Sequence, residues 1–185
     1  MYEEFFGLKE VPFALSPDPS FLYLSKSHRM ALTMLEYGLT SKAPISVVTG
    51  EVGCGKTTLL RRLLGQVPED VTVGMVTQTH ASFRDLLHWI ALSFDIDIEK
   101  KTGIALYKTI LEFLQAQHAQ HRRVVLIIDE AQNLSVNALE GIRMLSNVNV
   151  EKDLILQLVL VGQPELLDKM RLRHLNRLNG ALKPC

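Results

Sequence analysis

The segment Gly50-Glu51-Val52-Gly53-Cys54-Gly55-Lys56-Thr57 fits the pattern G-x-x-x-x-G-K-[ST] at each fixed position. It constrains the fold more than any other feature, because the pattern works only between a strand and a helix. Glycines let the backbone take positive φ and come close to phosphate oxygens, so that successive N–H groups and the start of the next helix surround an anion. The flanks agree with this requirement. Ile45 to Thr49 is a short apolar, β-branched run, and Thr57 to Leu64 reads as a helix stopped by Gly65. The candidate nucleotide-binding residues are therefore Gly50, Glu51, Val52, Gly53, Cys54, Gly55, Lys56, Thr57 and Thr58. Lys56 would bring a mobile positive charge to the β/γ-phosphates, and Thr57 a hydroxyl to Mg²⁺, which prefers oxygen ligands. Cys54 occupies a free position of the pattern and reads as a small side chain directed away from the ligand, with a redox thiol at the helix N-terminus as the alternative.

Further along, helical and extended patterns alternate. Ser25 to Leu39 has apolar residues at near-helical spacing, with Gly38 as a place to stop. Val71 to Thr77 reads as a second strand. Ser82 and Asp85 form a capping-box-like start for a helix with the stripe Phe83, Leu86, Leu87, Ile90 and Phe94. Steps of three and four through Ile104, Tyr107, Leu111, Leu114 and His118 predict another amphipathic helix. The run Val124 to Ile128 is apolar on both faces, as in a strand covered by helices on each side. Val136 to Ser146 reads as a helix with Ser135 as N-cap, and Leu154 to Val161 as a fourth strand interrupted only by Gln157. Such alternation predicts an α/β chain with a parallel sheet flanked by helices, binding ligands off the carboxyl ends of its strands. Before this core, prolines 12, 17 and 19 with Phe13, Phe21 and Tyr23 read as an aromatic strap over the domain. The chain thus divides into a strap and lead-in helix over residues 1–41 and a nucleotide-binding core over 42–185.

Asp129 and Glu130 follow the third strand, at the sheet edge where a nucleotide would lie. Asp129 would hold Mg²⁺ through water, and Glu130 would polarise the water that attacks the γ-phosphate. Two solvated carboxylates at a strand end are the plain alternative. A phosphoryl transferase excludes water whereas a hydrolase must orient it, so the second acid favours ATP hydrolysis over kinase chemistry.

Twenty basic residues balance twenty acidic ones. No global field therefore draws the chain onto nucleic acid or an acidic membrane. No apolar stretch approaches the roughly 18 residues of a membrane span, and MYEEFFGLKE lacks the basic-then-apolar pattern of a secretory leader. With two cysteines, Cys54 and Cys185, a structural disulfide is not expected and a reducing cytoplasm is the natural setting.

Together, MYEEFFGLKEVPF, SPDPSFLYLSKSHRMALTMLEYGL, TGEVGCGKTTLLRRLL, VVLIIDEAQNL and LVLVGQPEL resemble the AAA+ ATPases of the general secretion pathway A type (ExeA-like). The resemblance implies a P-loop ATPase that hydrolyses ATP as a homo-oligomer and helps assemble a secretion or pilus-type envelope structure. It implies that partners hold the protein at the inner-membrane face. It makes Gln163 the sensor facing the γ-phosphate, with a Gln-Pro turn as the alternative. His28 and Arg29 would border the adenine, or else form an exposed helical pair. Arg177 is the preferred arginine finger among Arg171, Arg173 and Arg177, although this stretch departs from the family by one residue and a basic tail is the alternative. The fifth strand and helical lid expected next are missing from the chain as read. Since an arginine finger is worth about 10³ to 10⁵ in rate, weak intrinsic turnover is expected. Two other readings stay open: a DNA-dependent AAA+ ATPase of the transposition or initiator type, with local basic patches at Arg61-Arg62 and Arg171 to Arg177, and a non-catalytic ATP-binding scaffold.

Overall fold

Consecutive apolar residues in an extended segment point alternately to opposite sides, so a run such as Val124–Ile128 is stable only when both sides are covered. The computed structural model describes residues 5–7, 24–77, 82–99, 101–150 and 153–171, and it shows both covers. The four long strands are β1 (Ile45–Thr49), β2 (Val71–Val76), β3 (Arg123–Ile128) and β6 (Gln157–Gly162). They form one parallel sheet in the order β1-β6-β3-β2. Helices α1 (Lys26–Thr40) and α2 (Lys56–Leu64) cover one face. Their Ala31, Leu32, Leu35, Leu59, Leu60 and Leu63 pack with Val125, Ile127, Val159 and Val161. Helices α3 (Phe83–Ser93), α4 (Ile104–Ala119) and α5 (Val136–Ser146) cover the other. There Leu86, Ile90, Leu106, Ile110, Leu139 and Ile142 meet Val124, Leu126, Ile128, Leu158 and Leu160. The short α6 (Glu165–Met170) adds Leu166 and Met170 to this second core.

Local capping agrees with the sequence. Ser25, Ser82 and Ser135 each accept a backbone N–H at the start of α1, α3 and α5, and Ser82 with Asp85 completes a capping box. Three expectations need correction. Gly38 does not end α1: it is buried inside the helix, where a Cβ would lie 2.6 Å from Ser46 Oγ, so it permits close approach to β1. The buried stripe of α4 is Leu106, Ile110 and Leu114, whereas Ile104 is 89% exposed. Tyr107 and Leu111 pack at its margin. That helix is apolar around much of its girth, so spacing admitted two neighbouring stripes and the position of the sheet chose one.

The run Leu154 to Val161 is likewise not a single strand. Asp153–Leu154 (β5) pairs antiparallel with Asn149–Val150 (β4), Ile155 and Leu156 are buried outside any strand, and β6 begins at Gln157. Apolar character reports burial, which Ile155 and Leu156 achieve without a ladder partner. Gln157 is polar because its Nε2 donates to the carbonyls of Gly38 and Ala43, both at 3.3 Å, tying β6 to the α1–β1 connection. The strap at residues 8–23 lies outside the described residues.

Where α5 crosses α3, a Cβ on Gly141 would come 2.3 Å from Phe83 Cδ2. Alanine would gain about 1 kcal/mol of helix propensity, but overpacking costs about 1–3 kcal/mol, and Phe83 already packs against the core. Gly141→Ala is therefore expected to lower stability, read as a reduced urea midpoint; an unchanged or raised midpoint contradicts this packing.

Candidate functional site

Strand order converts distant sequence positions into one site. Because β6 lies between β1 and β3, the residues leaving the carboxyl ends of these three strands emerge side by side, about 4.8 Å apart strand to strand. They are the loop after Thr49, Gln163 after Gly162, and Asp129-Glu130 after Ile128. The loop is tied to β6 by the Gly50 N–H, which donates to the Gly162 carbonyl at 3.1 Å.

Gly53 and Gly55 adopt φ +76° and +85°, in the left-handed region that glycine tolerates best. Gly55 is the N-cap of α2 and has no side chain to cap the helix. The first N–H groups of α2 are thus available to a ligand, and the helix dipole favours an anion there. Lys56 Nζ donates to the carbonyls of Gly50 and Glu51 at 2.8 and 2.9 Å, folding its charge over the loop. Thr57 Oγ1 donates to Asp129 Oδ2 at 3.1 Å. Asp129 is buried, and its other oxygen accepts the Glu130 N–H at 2.9 Å. Glu130 itself sits at φ +52°, a conformation uncommon outside glycine, which turns the chain sharply after β3. Two oxygen donors, a hydroxyl and a carboxylate, at this separation suit Mg²⁺, which keeps several waters and needs few protein ligands. Among the described residues no group of three His, Cys, Asp or Glu side chains gathers around one point.

A cleft of about 290 Å³ lies over the loop, lined by Val52, Gly53, Gly55, Lys56, Thr57 and Thr58 and faced by Glu130 and Gln163. Of the other expected residues, Gly50 and Glu51 contribute carbonyls to Lys56. Cys54 is exposed beside the loop, its Sγ 4.0 Å from Lys56 Nζ. Arg171 is described and pairs with Asp168 at 3.3 Å, while Arg173 and Arg177 lie outside the described residues.

Three residues hold the site in ways the sequence did not reveal. The buried Gln132 donates from Nε2 to Glu130 Oε2 at 2.6 Å and accepts the Gln163 N–H on Oε1 at 3.0 Å. Its carboxamide therefore joins the turn after β3 to the turn after β6. Gly162 leaves room for it, since a Cβ there would be 2.7 Å from Gln132 Oε1. Lys169 of α6 donates to the carbonyls of Gln132 and Leu134, the second at 3.0 Å, fixing the short 3-10 turn Ala131–Asn133. The third residue is His28, whose Nε2 lies 2.6 Å from the Cys54 carbonyl, whereas Arg29 is exposed. The only sequence cue to Gln132 was its place two residues beyond Glu130; no spacing linked His28 to the loop.

Residues 39–170 match a family model described as AAA domain. General secretion pathway protein A of Aeromonas hydrophila is 41% identical over 172 residues, covering 92% of this chain and 31% of that protein. The chain thus spans about a third of that relative's length. Cdc6p of Pyrobaculum aerophilum is similar in structure, with a TM-score of 0.64 at 20% identity, over 92% of this chain and 50% of that one. The Aeropyrum pernix ORC2 protein, solved as ADPNP-ADP complexes, gives 0.65 at 17% identity over 92% and 49%. At these identities the two archaeal structures speak for the fold. A family model that takes in most of the chain makes the assignment: the chain belongs to the AAA domain family.

Proposed function

We propose that this chain binds ATP with Mg²⁺ and hydrolyses it, and that it works as a homo-oligomer energising or regulating assembly of a secretion or pilus-type envelope apparatus. The observation that carries the chemistry is the meeting of Lys56, Thr57, Glu130 and Gln163 around one cleft, with the Thr57 hydroxyl already on Asp129. The cellular role is supported by the similarity to general secretion pathway protein A along nearly the whole chain. Adenine nucleotide is favoured because ORC2, of similar fold, was solved with ADPNP and ADP. Contact with the inner-membrane face through partners is part of this reading, and no helix among the described residues is long and apolar enough to cross a membrane.

In this reading the open N–H groups of the loop and of α2 receive the β-phosphate. Lys56 exchanges its two loop carbonyls for phosphate oxygens, so binding replaces existing hydrogen bonds instead of desolvating a free ammonium. Thr57 and Asp129 would hold Mg²⁺, which supplies charge neutralisation at the phosphates. Glu130 accepts a hydrogen bond from the attacking water and draws off its proton, and Gln163 presents its amide to the γ-phosphate from the neighbouring strand end. Gln132 orients the Glu130 carboxylate and holds the Gln163 backbone in the same act.

Glu130→Gln is expected to bind MgATP within a few-fold of the parent while hydrolysis falls by about 10²–10⁴, the range for loss of a general base. Hydrolysis equal to the parent's would reject Glu130 as the base. Lys56→Ala should abolish measurable nucleotide binding by calorimetry. Gln132→Ala removes a bond to a carboxylate and leaves the Gln163 N–H unpaired, so it should cost about 1–3 kcal/mol of stability and lower kcat more than it raises KM. ATPase rate measured against protein concentration, with and without duplex DNA, tests the assembly. A rate rising faster than linearly supports sites completed between subunits, and strong stimulation by DNA would favour an initiator-type or transposition-type ATPase instead.

A further inference from the structure

The Cys54–Gly55 peptide of the glycine-rich loop can turn about a glycine on one side. Its torsions are ψ of Cys54 and φ of Gly55; Gly55 sits at φ +85°, and glycine populates positive and negative φ about equally. In a trans peptide the C=O and the following N–H point in opposite directions, and no described peptide bond is cis. Whatever holds the Cys54 carbonyl on one side of the loop therefore presents the Gly55 N–H on the other.

His28 is the group that holds it. Its Nε2 lies 2.6 Å from the Cys54 oxygen, and a carbonyl oxygen only accepts, so Nε2 carries a hydrogen and donates. Nδ1 lies 2.6 Å from Ser25 Oγ, which sets the ring plane, and Ser25 also caps α1 by accepting the His28 N–H at 3.3 Å. A Cβ on Gly55 would be 3.4 Å from His28 Nε2, so the ring packs directly on the loop. The support is firm, because the next two turns of α1 bury Ala31, Leu32 and Leu35 against the sheet.

We propose that His28 is a positioning residue for the nucleotide phosphates: its Nε2–H holds the Cys54 carbonyl outward and so aims the Gly55 N–H into the cleft that Gly55 lines. The lead-in helix then preorganises an anion donor of the loop before any ligand arrives, as a hydrogen bond to a charged group is strongest when no reorganisation is required. This inference rests on the nucleotide-binding reading above.

Calorimetric titration of the full chain with MgADP, and competition by pyrophosphate, which has no base, test it. His28→Ala and His28→Phe, the second keeping a ring but no donor, should each weaken ADP and pyrophosphate by the same factor of about ten or more, the equivalent of one bond to a charged group. His28→Gln, whose amide N–H can reach the Cys54 carbonyl, should restore most of the affinity. Urea midpoints of the unliganded variants should match the parent, separating positioning from stability. Parent-like affinity in both His28→Ala and His28→Phe, with binding still lost in Lys56→Ala, overturns the inference and leaves the nucleotide reading standing. A loss for ADP but not for pyrophosphate also overturns it, by placing His28 at the base. A parent chain that takes up no MgADP overturns both.

Discussion

A triphosphate can be held by a neutral backbone only if several N–H groups converge on it and none of them is committed elsewhere. The start of α2 meets that condition because Gly55 caps the helix without a side chain, leaving the first amides free. The rest of the molecule follows from placing this amide nest correctly. β1 sets where the loop begins, the Gly50 N–H to Gly162 bond ties it to β6, and His28 bonds it from α1. Both faces of the sheet must be packed to hold β1, β6 and β3 in register, so two apolar cores serve one polar edge.

The polar edge is a connected set of hydrogen bonds. Thr57 joins the loop to Asp129, Asp129 accepts the Glu130 N–H, Gln132 spans Glu130 and the Gln163 backbone, and Lys169 secures the turn that carries Gln132. Groups that would touch phosphate, metal and water are thus coupled through backbone turns at three adjacent strand ends. One carboxamide, that of Gln132, contacts both the Glu130 carboxylate and the Gln163 backbone. Low local dielectric strengthens such a chain and makes any broken link costly.

Much of this was legible before the structure. The glycine-rich loop between β1 and α2 and the acidic pair after β3 follow a fixed local grammar, and the Ser25, Ser82 and Ser135 caps use hydrogen bonds that reach only three residues along the chain. Less legible were features set by what an element meets. The α4 stripe shifted to Leu106, Ile110 and Leu114 because the sheet lies on that side. Gly38 read as a helix stop, yet it serves a contact with Ser46 on another element. The apolar run from Leu154 divides between a hairpin and β6, because burial and ladder pairing are separate properties.

Local chemistry along the chain was enough to specify the strand–loop–helix unit, the alternation of elements and the carboxylates after the third strand, since each depends on residues a few positions apart. The roles of Gln132 and His28 could not be read that way. Gln132 matters because β6 enters the sheet between β1 and β3 and brings Gln163 within reach. His28 matters because α1 packs on the same face as α2, which puts its imidazole against a carbonyl of the loop. Both are contacts between segments far apart in the chain, and only the folded arrangement of helices on a parallel sheet brings their donors and acceptors within about 3 Å.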